Sequence, residues 1–250
     1  GNSPKGILWR LEGIAIPNPN HFAGEGSTGG PINALSSKML STSDFFTGAF
    51  APEYGDATSG VFDMKLKAGN NERREYTASI STLGLDMTAE GPFKKGSRGS
   101  YIANYRYSAL DLLDKAGVVD FGGVPRYQDL SFKIQLPAND KHNFALFGLG
   151  GMSSIDTEDK DDEHDDERIT GKFTGKNKLG VLGLSHTYQI NHDMYIRSSV
   201  AGTGSESDFD YKIPNTLDQF YTIETGKISK ASIIASSTFN YKLNSKHKVE

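Results

Sequence analysis

Apolar and polar residues alternate with a period of two over most of the chain from about Tyr76 onward. This period places apolar side chains on one face of a β-strand and polar side chains on the other. The pattern is clearest in segments 101–107, 130–136, 182–190 and 231–241. It recurs often enough to predict a mainly β fold with roughly eight long strands after the first seventy or so residues.

The connections between these strands alternate in length. Short polar turns at 94–99, 138–141, 191–193 and 244–247 take turns with long polar segments at 108–126, 153–176 and 205–226. A soluble β-sandwich also has alternating strands, and a sandwich that acts as a binding module stays open as an alternative. Short turns on one side and long loops on the other are typical of outer-membrane barrels.

A closed barrel also pairs the backbone hydrogen-bonding groups of its strands. Inside hydrocarbon, only helices and closed sheets can pair every N–H and C=O group. The strand register predicts which side chains face lipid and which face the barrel lumen. The predicted lipid-facing residues are Tyr101, Tyr105, Phe132, Ile134, Leu182, Ile233 and Phe239. The predicted lumen-facing or plug-facing residues are Arg106, Lys133, Lys230 and Lys242.

The first seventy residues differ from the rest, since they are rich in Gly and Pro and contain only short apolar pieces. This composition predicts a compact α+β unit with many loops, including a helical turn within 36–43. The unit has little apolar surface, and the strands after it have a polar inner face. We therefore expect a polar surface of this unit to meet a polar lumen.

Composition limits the possible functions. A net charge of −4 gives no basic surface for nucleic acid. The chain has no cysteine, which excludes disulfides, thiolate metal sites and cysteine nucleophiles. We find no catalytic triad, phosphate-binding glycine motif or zinc spacing, so the sequence predicts neither an enzyme nor a cofactor.

Four pieces of sequence, in this order, resemble the TonB-dependent receptors of the outer membrane. They are Trp-Arg-Leu-Glu-Gly-Ile at 9–14, the segment 44–55 ending in Tyr-Gly, Ser-Gly-Val-Phe-Asp-Met-Lys-Leu-Lys at 59–67, and Gly-Pro at 91–92 with Arg-Tyr-Ser at 106–108. In that family the first piece usually contains Asp and the third begins with two glycines. Here Glu12 and Ser59 stand at those positions.

The resemblance implies a fold and a function. Residues 1–70 would be the C-terminal part of a plug domain, and 71–250 the first eight or so strands of a barrel of about 22 strands. The chain would then be a truncated piece of a Gram-negative outer-membrane receptor. That receptor would import a polar nutrient such as an oligosaccharide, a peptide or a metal chelate. The alternative is a non-transporting barrel that acts as a structural or adhesive surface protein.

The same resemblance implies partners: outer-membrane lipid, TonB through a segment outside this chain, and a surface lipoprotein that binds the substrate. It also implies a binding site, because the loop after the first motif points toward substrate in related receptors. The candidate contact residues are Asn18, Asn20, His21 and Phe22. The competing interpretation is that Pro and Asn shape a turn here and that His21 bonds to plug backbone.

Two further groups of charged residues are candidates. Arg10, Glu12, Glu53 and Asp63 would be enclosed by the barrel, where an unpaired charge is costly, so we expect ion pairs with lumen-facing Lys or Arg.

The segment 156–167 is strongly acidic and contains Asp159, Asp161, Glu163 and Asp165 at alternate positions. This spacing is a weak candidate for Ca²⁺, because the turn glycine of an EF-hand is absent. The alternative is a mobile, solvated extracellular loop whose deletion leaves the barrel intact.

Overall fold

The computed structural model describes residues 4–23, 29–48, 50–55, 57–81, 84–108, 125–160, 169–215, 217, 219–244 and 247–249. The first part of the chain forms a small four-stranded sheet. Its strands are β1 (Ile7–Leu11), β2 (Ile14–Ile16), β5 (Asp44–Phe46) and β6 (Gly60–Met64), in the order β2-β1-β6-β5. Strands β1 and β6 are parallel, and the other pairs are antiparallel.

A two-stranded hairpin of β3 (Asn20–His21) and β4 (Ile32–Asn33) accompanies this sheet. The helical turn predicted within 36–43 is a single 3-10 turn at Ser37–Met39. Its N-cap is Ser36, whose Oγ accepts a hydrogen bond from the backbone N–H of Lys38 at 3.3 Å. No helix among the described residues has both the length and the apolar character needed to cross a membrane. We call residues 4–66 the plug segment.

The rest of the described chain forms one antiparallel sheet, called the wall sheet below, in which each strand pairs with the next. Its nine strands are β7 (Glu75–Ser81), β8 (Gly84–Pro92), β9 (Ser100–Tyr107), β10 (Arg126–Pro137), β11 (His142–Lys160), β12 (Ile169–Gln189), β13 (Met194–Pro214), β14 (Phe220–Lys242) and β15 (Lys248–Val249). The strand count predicted from the sequence is close to this number. Purely sequential antiparallel order is the topology of an up-and-down barrel.

The two faces of the wall sheet follow the predicted register. Leu182 and Ile233 are 58% and 86% exposed on the face away from the plug segment. Lys133 points the other way and bonds to Glu12 of the plug segment. Arg106 lies on the same inner face and donates to the backbone carbonyl of Asn33.

Two of the long polar segments, 153–176 and 205–226, are mostly strand where the structure describes them, which the sequence did not predict. Nearly all of the third segment, 108–126, lies outside the described residues. Strand β11 continues to Lys160, and β13 and β14 pair as far as Pro214 and Phe220. Apolar alternation stops in these stretches, but antiparallel pairing continues through cross-strand polar contacts. On one face Lys178 and Lys227 both bond to Glu206, each at 3.0 Å. Strands of 19 to 23 residues exceed the roughly 9–11 residues that span a bilayer.

The plug segment and the wall sheet share one apolar core, so the expectation of polar surface against polar surface is only partly right. The core combines plug residues such as Leu11, Ile14 and Met39 with Ile102 and Phe147 of the wall. All five side chains are completely buried. Ile102 and Phe147 stand on the inner face of the wall, which the alternation predicted to be polar, and so the sequence pattern did not reveal the contact.

Candidate functional site

The turn between β1 and β2 places Glu12 in the contact between the plug segment and the wall sheet. Glu12 and Gly13 are the two central residues of this hairpin turn and have φ of 54° and 85°. A two-residue turn with both φ values positive is a type I′ turn, which normally takes Asn-Gly or Asp-Gly. The motif at 9–14 is therefore a hairpin signal in which Glu replaces the shorter acidic or amide residue.

The longer side chain of Glu12 reaches two cations of the wall sheet. Lys133 Nζ donates to Glu12 Oε1 at 2.8 Å, and Arg197 Nη2 donates to Glu12 Oε2. The backbone N–H of Leu66 also donates to Oε1, at 2.8 Å. Glu12 is 1% exposed, so its charge is compensated inside the interface.

Arg10, Glu53 and Asp63 are placed differently from Glu12. Arg10 pairs with Glu53 at 3.2 Å within the plug segment, and Tyr54 donates its hydroxyl to Asp63 at 3.3 Å. Neither contact is the plug-to-wall pair that we expected for these residues. The reason is local: the 3-10 turn Pro52–Tyr54 brings Glu53 and Tyr54 back onto the small sheet. Burial, followed by the nearby Asp63 carboxylate, raises the pKa of Tyr54, which therefore stays a donor.

Asparagine side chains shape the hairpin β3–β4. Asn18 Oδ1 accepts from the backbone N–H of Asn20 at 3.0 Å and from its Nδ2 at 2.8 Å. Asn33 Nδ2 donates to Asn20 Oδ1 at 3.1 Å across the hairpin. The Asn18 contacts form an Asx turn, which is one way in which Asn shapes a turn, and contact of these residues with a ligand stays a prediction.

A cavity of about 400 Å³ lies between this hairpin and strands β12 to β14. Its polar lining includes Lys5, Asn18, Asn20, Asn177, Ser205 and Lys230. The wall residues in this group come from three neighbouring strands, and they meet the hairpin on one side of the plug segment. Amide, hydroxyl and ammonium groups in one cavity suit a polar ligand with several acceptor atoms.

His21 and Phe22, the other two candidate contact residues, differ from the asparagines. His21 is 1% exposed, and its Nε2 lies 2.6 Å from Asp129 Oδ1 of strand β10. Its ring also stacks on Tyr127 with centroids 5.5 Å apart. Phe22 has a positive φ of 58° and continues the turn beside His21. His21 touches the edge of the cavity but makes its hydrogen bond to the wall, not to plug backbone.

Asp129 binds two partners at once. Its Oδ1 faces His21, and its Oδ2 accepts from Arg106 Nη2 at 2.6 Å. Gly151 of the adjacent strand β11 makes this approach possible, because a Cβ there would lie 2.8 Å from Asp129 Oδ1 and 3.1 Å from His21 Cε1. The sequence reasoning missed Asp129. Its inward position was readable from the alternation with Leu130, but its partner in the plug segment was not.

The calcium candidates fall mostly outside the described residues. The residues outside the described part of the chain are Asp161, Glu163 and Asp165. The fourth candidate, Asp159, lies in β11 and accepts a hydrogen bond from the Tyr211 hydroxyl at 3.1 Å. Among the residues that the structure describes, no group of three His, Cys, Asp or Glu is arranged to hold a metal ion. The segment 156–160 is paired strand and not the start of a free loop.

Comparison with solved structures identifies the fold. The siderophore receptor PiuA from Acinetobacter baumannii superposes with a TM-score of 0.64 at 10% identity, covering 98% of this chain and 36% of that one. PirA from the same organism, also a siderophore receptor, gives 0.52 at 15% identity, covering 95% and 37%. The ferric enterobactin receptor PfeA from Pseudomonas aeruginosa, in complex with enterobactin, gives 0.58 at 12% identity, covering 98% and 40%.

At these identities the likeness concerns the fold, and the chain spans less than half the length of each of these three receptors. No protein-family model matches the sequence, and no curated protein matches it. The predicted fold is confirmed: a plug segment packed against the strands of a large antiparallel barrel, as the resemblance to TonB-dependent receptors implied.

Proposed function

We propose that the chain is part of an outer-membrane receptor of Gram-negative type that binds a polar nutrient and imports it with energy supplied through TonB. The proposal is supported by the shared fold, since the solved proteins with this fold are named as siderophore receptors. The observation that carries it is the cavity between the hairpin β3–β4 and the wall sheet, whose lining combines Asn, Ser and Lys side chains with apolar residues such as Ile16 and Leu179. Apolar walls with a few polar groups are typical of ligand sites, and a barrel with only a structural or adhesive role has no need for such a cavity at its plug.

The position of the cavity fits capture from outside the cell. In the β10–β11 register, Asp129 pairs with Gly151 and Lys133 with Phe147. At the usual rise per residue, the His21 contact lies about 13 Å nearer the long connections than the Glu12 contact. In outer-membrane barrels the long connections are extracellular. The hairpin is thus on the outward side of the plug segment, where an incoming ligand arrives.

The substrate class that we propose is a polar nutrient with several acceptor oxygens, such as an oligosaccharide, a peptide or a metal chelate. Among the charged residues that line the cavity, three lysines (Lys5, Lys178 and Lys230) outnumber one carboxylate (Glu206), so the net charge of the lining is positive. The expected partners are outer-membrane lipid, TonB and a surface lipoprotein that passes the substrate to the cavity.

The test is uptake by cells that carry the full-length receptor and no other receptor of this kind. The probes are iron-labelled ferric enterobactin, maltohexaose and a tetra-alanine peptide. For a probe that is taken up, Asn20→Ala should raise the half-saturating concentration about tenfold or more, the loss expected for one or two hydrogen bonds to the ligand. Asn191→Ala, in a short turn at the other end of the wall, is the matched control and should leave uptake unchanged.

Two outcomes would argue against this function. Uptake of no probe, despite normal surface expression, would favour the structural or adhesive alternative. Equal uptake by the Asn20→Ala and Asn191→Ala variants would remove the cavity from the transport route.

A further inference from the structure

The hairpin β3–β4 faces the cavity with one side and a buried charged group with the other. Asn20 borders the cavity, and the next residue, His21, bonds to Asp129 of the wall sheet. Across the hairpin, the Asn33 carbonyl accepts a hydrogen bond from Arg106, which is also bonded to Asp129. Both strands of the hairpin are therefore fastened to one carboxylate, one directly and one through a guanidinium.

We propose that Asp129 is a positioning residue: through His21 and Arg106 it holds the hairpin β3–β4 against the wall sheet and so sets where Asn18 and Asn20 stand in the cavity. That Asn18 and Asn20 contact a ligand rests on the proposed function, whereas the proposal that Asp129 holds the hairpin does not. We call the three residues Asp129, His21 and Arg106 the latch.

Three observations support a holding role for the latch. Both Asp129 and His21 are at least 98% buried, so neither side chain is available to a ligand as the structure stands. Charge-assisted hydrogen bonds at 2.6 Å are short and directional, which suits a contact that fixes an orientation. The hairpin itself is small, with two residues in each strand, and has little pairing of its own.

The latch is also separate from the main contact of the plug segment. Glu12, Lys133 and Arg197 form a different buried ion group, which lies nearer the short turns. The 3-10 turn after the hairpin has its own contact, from Lys38 to Asp86 at 3.1 Å. Loss of the latch should therefore free the hairpin while the remainder of the plug segment stays seated.

The test uses cysteine accessibility, which is practical because this chain contains no cysteine. Leu35→Cys, just after β4, is the hairpin reporter, and Ser185→Cys, on the inner face of β12, is the seating reporter for the whole plug segment. Both positions are buried, at 5% exposure each. Each reporter is placed in the full-length receptor, with any cysteine elsewhere replaced by serine, and its labelling rate with a polar maleimide is measured in outer membranes.

Two substitutions of His21 test whether this side chain, as a donor to Asp129, holds the hairpin, and neither changes a residue of the wall sheet. A glutamine amide reaches the position of the imidazole Nε2 and can donate to Asp129, whereas alanine cannot. His21→Ala should raise the labelling rate of the hairpin reporter about tenfold or more, as expected for loss of a hydrogen bond to a charged group from the closed state. His21→Gln should stay within about twofold of wild type, and the seating reporter should remain protected in both.

Asp129→Asn supplies the complementary variant from the wall side and should also expose the hairpin reporter. Equal protection of the hairpin reporter in wild type and His21→Ala would overturn the proposal, and so would equal exposure in His21→Gln and His21→Ala. Simultaneous exposure of the seating reporter would show that the whole plug segment is released and would overturn a local latch. These readouts need no transported ligand, so failure of the uptake experiment leaves their meaning unchanged.

Discussion

Glu12 combines a strained backbone position with a buried charge. Its φ of 54° lies in the left-handed region, which costs free energy for residues other than Gly, Asn and Asp. An Asn or Asp at this position would relax the turn, but its shorter side chain would not span the distance to Lys133 and Arg197. The ion pairs and the Leu66 hydrogen bond offset the strain and tie the turn to the wall sheet.

Removing the charge of Glu12 should therefore loosen the plug segment. In Glu12→Gln the buried ammonium of Lys133 and the guanidinium of Arg197 lose their carboxylate, which should destabilise plug seating by about 3 kcal/mol or more. The measurement is the urea concentration at which protease first cuts the plug in the full-length receptor in detergent micelles. Glu53→Gln is the control: Glu53 is 34% exposed, and Arg10 keeps its hydrogen bond to the Gly13 carbonyl and its contact with the Tyr54 ring, so the expected cost is smaller than for Glu12→Gln. Equal midpoints for the two variants would contradict a special role for Glu12.

For single residues, the sequence predicted which charged side chains are enclosed better than it predicted their ion-pair partners. Glu12 was a candidate for a plug-to-wall ion pair because a charge enclosed by protein needs a partner. The same reasoning applied to Arg10 and Glu53, which instead pair with each other. Partner choice depends on the 3-10 turn at Pro52–Tyr54 and on the wall register, and neither follows from the charges alone. Asp129 was missed because its partner His21 is 108 residues away in the chain.

Among the elements of the fold, the strands of the wall sheet were the most predictable from the sequence. A period of two fixes the face of every side chain once one strand is in register, because a slip of one residue would exchange the two faces. This is why Lys133 and Arg106 lie on the plug side as expected, with Leu182 and Ile233 on the opposite face. The ends of the strands were not predictable in this way, because β11 to β14 continue through polar sequence in which both faces contact water.

Adjacent residues of β14 give a direct test of the two faces. Ile233 is on the outer face, and Ser232 lines the cavity side. Ile233→Lys should destabilise the folded barrel by roughly 2–4 kcal/mol if this face meets the middle of the bilayer. Ser232→Lys introduces the same charge on the inner face and should cost much less. Heat-modified gel mobility of the full-length receptor refolded in liposomes over a urea series measures the difference, and a larger effect of Ser232→Lys would show that the register is wrong.

In the whole molecule, plug segment and wall sheet are joined by a layered interface. Apolar side chains around Phe147 form its centre, and buried ion groups at Glu12 and at the latch lie around it. The apolar centre supplies most of the burial free energy, whereas the ion groups fix the orientation of the plug segment. The ionic contacts can be exchanged for water, whereas the apolar contact resists displacement.

Phe147→Ala tests whether the apolar centre holds the plug. Phe147 is completely buried and belongs to the core shared by plug segment and wall sheet, so its truncation should leave a cavity and destabilise seating by about 3–5 kcal/mol. Phe144→Ala is the matched control, since Phe144 lies three residues away on the outer face, where it stacks on His186. Both variants remove the same ring from the same strand, so any effect on the barrel itself should be similar.

The expected result is early protease cutting of the plug in Phe147→Ala alone, at urea concentrations where the barrel still shows heat-modified mobility. Loss of plug and barrel together in Phe147→Ala would mean that the two parts unfold as one unit, and that the apolar centre does not hold the plug independently of the barrel.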